Sequence, residues 1–330
     1  MVYDRMPNEP AFAGIPTFLK LPYVRDFEAL KAETPDAVIV GAPIDMGTTN
    51  RPGARYGPRA IRAASNLGRT IHHLGLGVEP MRILKAFDYG DASVLPLDLA
   101  RSHDAVRVKV GEVARLGAVP IVLGGDHSIT LPSVEAVAEV VGRGKVGVVH
   151  FDAHADTASE DWGSPISHGT PMRRLIEGGA VSGRNFVQVG LRGYWPPAEV
   201  FDWMRGQGMR WHTMHEIDER GFDAVLETAV AEALDGPEVI YLSVDVDVLD
   251  PAYAPATGTP EPGGLTAREL LRAVRKVALA VHLVGVDVVE VAPPYDGPGA
   301  ITAEVAHRLV LEVLSALAVK KGSRRSGTPG

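Results

Sequence analysis

KVGVVHFDAHAD, residues 145–156, runs straight from an apolar stretch into two aspartates and a histidine at alternate positions. The apolar part, VGVV (146–149), is continuous rather than alternating. A strand of that kind is covered on both faces, as in a parallel sheet. Similar runs occur at DAVIVGAP (36–43), RILKAFDYG (82–90), AVPIVLGG (118–125), NFVQVGLR (185–192), EVIYLSVDVD (238–247) and LVGVDVVEV (283–291). Between them lie segments with helical apolar spacing, among them 99–117 and 267–281. Strand and helix alternate to the end, which predicts an α/β fold with a central doubly wound parallel sheet. Without a repeat or a long linker, the prediction is a single domain over 1–330. Residues 1–20 and 320–330, rich in chain breakers and without apolar periodicity, are expected to be poorly ordered.

Composition narrows the function. The 330 residues include no cysteine, which excludes disulfides, thiolate nucleophiles and zinc-thiolate sites. Asp and Glu outnumber Lys and Arg 41 to 33, so no basic face is expected for nucleic acid. The first residues lack the apolar core of a signal peptide, and no window is apolar enough to cross a membrane. A cytoplasmic location is the expectation.

Chemistry is expected where strands end, at the carboxyl edge of such a sheet. Asp152, His154 and Asp156 follow one run and would share a side in extended chain. Asp245 and Asp247 follow another, and His127 follows the glycines of GGDH (124–127). Each element alone also reads as a helix cap or turn. Together they offer two imidazoles and four carboxylates, whose charge of −4 two divalent cations would balance. Uncompensated, four carboxylates in one cleft would be very costly. Oxygen-rich ligation without sulfur suits Mn²⁺, with Ni²⁺, Co²⁺ or Zn²⁺ as substitutes.

GGDHS (124–128), FDAHADT (151–157), SHGTPMRR (167–174), SVDVDVLDPAYAPATGTPEPGG (243–264) and VVEVAPPYD (288–296) resemble the successive signatures of the ureohydrolase (arginase/agmatinase) superfamily. RPGARYGPRAIR (51–62) resembles its agmatinase-like branch, and the likeness runs from about residue 37 to the last helix. The resemblance implies a three-layer arginase-like fold, a homotrimer or homohexamer, and two Mn²⁺ per subunit. It implies that His127, Asp152, Asp156 and Asp245 hold one ion and His154, Asp152, Asp245 and Asp247 the other. His150 is expected to support these ligands rather than to join them. The implied reaction is hydrolysis of a guanidino compound to an amine and urea. In it Asp156 would accept the water's proton, His168 would shuttle protons and Glu290 would anchor the guanidinium.

For the substrate, the agmatinase-like wording favours agmatine, giving putrescine and urea, with guanidinobutyrate and guanidinopropionate as competitors. Trp162, in the loop Glu160-Asp161-Trp162-Gly163, is placed to meet the substrate tail, and that loop's acidic pair suits an amine. Arg192 is a candidate partner for an acidic tail. The other classes are a metal-dependent amidohydrolase or deacetylase and a non-catalytic metal- or ligand-binding oligomer.

Overall fold

A computed structural model describes residues 2–3, 10–65, 67–68 and 70–326. Among them ten strands form one sheet: β1 (Val2–Tyr3), β2 (Tyr23–Val24), β3 (Ala37–Ala42), β4 (Ala86–Asp91), β5 (Val119–Gly124), β6 (Val146–Phe151), β7 (Phe186–Leu191), β8 (Arg210–Thr213), β9 (Val239–Asp245) and β10 (Leu283–Val289). Their order across the sheet is β1-β2-β4-β3-β5-β10-β9-β6-β7-β8, antiparallel at β1–β2 and parallel everywhere else. Each of the seven apolar runs contains one of these strands. In 82–90 the strand starts only at Ala86, because Pro80–Ile83 is a helical turn. β1, β2 and β8 are two to four residues long and have no such run to mark them.

Both faces of the sheet are buried, which explains the continuous runs. On one face Ile39, Leu123, Phe151 and Val244 pack with the helices Phe222–Ala233, Ala267–Ala280 and Ile301–Ser326. On the other, Val38, Val40, Val122 and Val148 pack with Leu99–Arg115, Thr130–Val141 and Pro171–Glu177. The result is the three-layer α/β arrangement that the alternation predicts.

The ends differ from expectation. Phe18 and Leu19 are fully buried in a short 3₁₀ turn, with Phe18 stacked on His307, so the chain is anchored by residue 18. The last helix continues to Ser326. The apolar side chains of 18–19 supply the anchor, and the breaker-rich composition around them concealed it. Met1, 4–9 and 327–330 lie outside the described residues. Among the described residues, no helix is long and apolar enough to cross a membrane.

One feature of the topology positions the site. β5, β10, β9 and β6 are adjacent in the sheet although distant in sequence. Their carboxyl ends therefore deliver four unrelated chain segments to one place: 125–127, 290, 245–247 and 152–156. This is the edge at which open parallel sheets bind ligands.

Candidate metal centre

The turn after β5 is fixed by close packing. A Cβ on Gly125 would lie 2.1 Å from the Ile44 carbonyl oxygen, so only glycine fits. Asp126 then caps the short 3₁₀ turn at His127, accepting from Ser128 N–H at 3.0 Å and from Gly47 N–H at 2.8 Å. This turn carries His127 over the sheet edge, where it is wholly buried.

His127 Nδ1 lies 3.0 Å from Asp152 Oδ2, 3.0 Å from Asp156 Oδ2 and 3.1 Å from Asp245 Oδ2. None of these contacts has the direction of a hydrogen bond, and Nδ1 is a buried atom with no partner. Its ring mate Nε2 is 2.9 Å from Ser243 Oγ. Ser243 donates its proton to Asp287, so Nε2 carries a proton and Nδ1 is the nitrogen left to meet a metal ion or, without one, a second proton. Three carboxylate oxygens thus crowd within about 3.1 Å of one ring nitrogen, an arrangement that calls for a cation.

Beside it, His154 Nδ1 lies 3.0 Å from Asp247 Oδ2 and 3.5 Å from Asp152 Oδ1. Asp152 therefore turns one oxygen to each histidine, as a carboxylate shared by two ions does. Backbone donors aim the others: Asp247 N–H donates to Asp245 Oδ1 at 2.8 Å and Ala153 N–H to Asp247 Oδ1 at 3.2 Å. The two groups of possible ligands among the described residues, His127-His150-Asp152-Asp156 and Asp152-His154-Asp247, meet at Asp152. His150 belongs to the first by distance only. Gln188 Nε2 donates to its Nδ1 at 2.9 Å, so its Nε2 carries the proton and donates to Asp152 Oδ2 at 2.8 Å. His150 orients Asp152 and has no lone pair to offer an ion.

The convergence is not produced by strand alternation. β6 ends at Phe151, and residues 152–156 form a bent segment in which Asp156 has a φ of 51°. Asp247 likewise sits in a 3₁₀ turn, Val246–Val248. Trp162 and Glu290 are further non-glycine residues of the site at positive φ, 53° and 63°. Left-handed backbone at such residues costs about 1–3 kcal/mol each and is typical of functional sites.

Charge shows the same strain. Burial, then Asp247 and Asp152, push Asp245 well above the usual carboxylate range. Burial and Asp152 raise Asp247 to about 6, although His154 opposes this. Burial lowers His127, but its three carboxylate neighbours outweigh it and hold the imidazole well above the usual range.

The chain belongs to the arginase family. The family model described as "Arginase family" matches residues 35–316. The chain is 44% identical to a guanidinopropionase of Pseudomonas aeruginosa over 316 residues, 94% of this chain and 93% of that protein. It is 41% identical to a mitochondrial agmatinase of Gallus gallus over 306 residues, covering 92% and 86%. Its fold matches the Trypanosoma cruzi formiminoglutamase solved with Mn²⁺ at a TM-score of 0.79 and 28% identity, covering 87% and 94%. The protein is thus an arginase-family ureohydrolase acting on a guanidino compound, with a histidine–aspartate metal site.

A cleft of about 610 Å³ opens above this ureohydrolase centre, with His154, Asp156 and Asp245 at its base. His168 is on its wall and nearly buried, not in an exposed loop. His168 Nδ1 donates to Glu290 Oε1 at 3.0 Å, and Nε2 accepts from Thr49 N–H at 3.1 Å. Burial lowers its basicity, yet Glu290 raises it overall to about 9. When Nε2 is protonated, Thr49 Oγ1 at 2.7 Å is the acceptor beside it. Glu290 lies behind His168 rather than on the wall; its Oε1 also accepts from His127 N–H at 2.9 Å, while its buried Oε2 has no partner. Gly258 leaves room for that oxygen, since a Cβ there would stand 3.0 Å from it. Trp162 lines the cleft mouth and is 93% exposed.

Arg192 requires a correction. Its guanidinium donates to backbone carbonyls of Asp247 (2.7 Å), Pro262 (3.0 Å), Val248 (3.2 Å) and Leu249 (3.2 Å), so it ties the Asp247 turn to the 261–262 loop. It does not line the cleft and has no donor to spare for a substrate. Arg192→Ala leaves several half-buried carbonyls unpaired, at about 1–3 kcal/mol each. The expected result is a melting point several degrees lower, measured by calorimetry; an unchanged melting point would remove this role.

Thr49 and Asn50, and Arg51 at the head of RPGARYGPRAIR, form part of the cleft wall, a role that their sequence context does not mark. Asp45 accepts from Gly53 N–H at 2.8 Å and pairs with Arg55, which fixes the loop that carries them.

Proposed function

We propose that the protein hydrolyses a short guanidino acid to urea and the corresponding amino acid, using two Mn²⁺ ions. His127, Asp152, Asp156 and Asp245 would hold one, and His154, Asp152, Asp245 and Asp247 the other. The observation that carries this reading is the unpartnered His127 Nδ1 facing three carboxylate oxygens at 3.0–3.1 Å beneath an open cleft. When bound, such an ion pair lowers the pKa of water towards neutrality and stabilises developing negative charge.

The chain's own groups do the rest. Asp156, at the base of the cleft, accepts the attacking water's proton. His168, on the wall, passes a proton to the leaving amine. Glu290, set behind His168 and off the cleft wall, holds His168 through Oε1, and its unpartnered Oε2 would anchor the guanidinium N–H once His168 moves aside.

Arg51 decides the substrate tail in this reading. Among the described residues lining the cleft, it is the one permanently cationic side chain. It is exposed and lies 5.4 Å from the Tyr295 ring centre. A carboxylate tail would complete it. The similarity to a guanidinopropionase points the same way. Glu160 and Glu261, also on the wall, favour the second reading, an amine tail as in agmatine. In that loop Asp161 is already committed, accepting from Ser167 Oγ at 2.5 Å.

The test is urea release by Mn²⁺-loaded protein from guanidinopropionate, guanidinobutyrate, agmatine and arginine, with Arg51→Ala alongside. The acids should turn over best. The variant should raise their KM by about 10–100-fold, the worth of a charge-assisted hydrogen bond, and leave any agmatine turnover unaffected. Faster turnover of agmatine than of either acid would replace this reading by the second.

A further inference from the structure

Asp287 lies in the middle of β10 and is wholly buried. Three hydroxyls donate to it: Ser243 Oγ to Oδ1 at 2.7 Å, and Thr130 Oγ1 at 2.8 Å and Tyr241 OH at 2.9 Å to Oδ2. None of these neutralises it. A buried carboxylate served by neutral donors is expensive to keep unless a cation lies further along its network. The network leads to one place. Ser243, with its proton committed to Asp287, can only accept from His127 Nε2–H, and the two atoms are 2.9 Å apart. That acceptance determines which ring nitrogen carries the proton and leaves the Nδ1 lone pair facing Asp152, Asp156 and Asp245.

We propose that Asp287, acting through Ser243, is a positioning residue for the metal in the His127 pocket: it locks His127 as an Nδ1 donor and supplies remote negative charge. This rests on the two-metal reading above. Metal-bound histidines commonly pass their other N–H to such a partner, and loss of that partner weakens binding about 10–100-fold. In Asp287→Asn the polarity can reverse. The carboxamide donates to Ser243 Oγ, the hydroxyl turns towards Nε2, and the imidazole proton moves to Nδ1, where it blocks the ion. Ser243→Ala breaks the link outright, whereas Ser243→Thr retains the hydroxyl.

The experiment is Mn²⁺ titration of full-length protein, followed by metal analysis and by the spin-coupled EPR signal of a manganese pair. The parent should hold two ions. Asp287→Asn and Ser243→Ala should hold one at concentrations that fill the parent, and should regain the paired signal only at about 10–100-fold more Mn²⁺. Ser243→Thr should behave like the parent. If Asp287→Asn does not fold, the Ser243 pair of variants decides the matter. Variants that melt lower but bind both ions with parental affinity would overturn the proposal, leaving Asp287 a packing residue. A parent that binds no Mn²⁺ would remove the two-metal reading, and this proposal with it.

Discussion

Asp152→Asn should leave a folded protein that retains neither metal ion and releases urea at least about a thousandfold more slowly, since a metal centre supplies several kcal/mol to the transition state. Asp245 is shared in the two-metal reading as well, but Asp152 is the carboxylate that faces both histidines of the site. Its Oδ2 faces His127 Nδ1 and accepts from His150 Nε2–H, while its Oδ1 faces His154 and accepts from His154 N–H at 2.6 Å. Asparagine retains the shape and one acceptor oxygen but removes the charge that both ions share. Asp247→Ala serves as the comparison, because Asp247 stands near His154 and not near His127. It should cost one ion where Asp152→Asn costs two. Metal content by mass spectrometry and urea release measured on the same preparation make the check. Two retained ions in Asp152→Asn would show that the shared carboxylate has been misidentified.

The aspartates and histidines of this centre were legible because each follows a strand whose apolar run announces it. Adjacency of those strands was not legible. Nothing in 118–125 or 283–291 states that β5 and β10 are neighbours, and that pairing brings Glu290 behind His127. Local geometry was also hidden. Alternate spacing suggested one face of a strand for Asp152, His154 and Asp156, whereas the chain bends and turns left-handed at Asp156 to the same effect. Arg192 shows the opposite limit, since an arginine after a strand looks the same in sequence whether it binds a ligand or six carbonyl oxygens. Ser243 and Asp287 left a fainter trace. Each is a polar residue inside an apolar run, which a buried strand tolerates only when a partner is at hand. They pair across β9 and β10, in register at Ser243↔Asp287.

Stripped of metal, the protein should lose stability as pH rises from about 4 to above 7, and the melting-point gap between loaded and stripped protein should widen over that range. The sign follows from the groups themselves. Burial and neighbouring carboxylates raise Asp245 well above the ordinary 3.8, and Asp247 to about 6. Burial and Asp152 raise Asp156. Each therefore holds a proton in the folded state that the unfolded chain has released. Its contribution is complete below the unfolded value and is lost as pH rises through the folded one, for Asp247 between 3.8 and about 6. His127 and His154 extend the trend. Burial lowers them, but the surrounding carboxylates raise both well above 6.5, so their contribution fades at still higher pH. Asp152 runs the other way. It is held well below 3.8 against the effect of burial, chiefly by His150, so its contribution is lost only as pH falls below that range. Metal reverses the balance, because it binds the deprotonated ligands; one ion at a hundred times its Kd adds about 2.7 kcal/mol. Ionisations elsewhere cancel in the difference between the two forms. Melting curves at pH 5 and pH 8, with chelator and with Mn²⁺, therefore isolate the cluster. A gap that stays constant or narrows towards pH 8 would mean that these residues are not the ones that meet the metal.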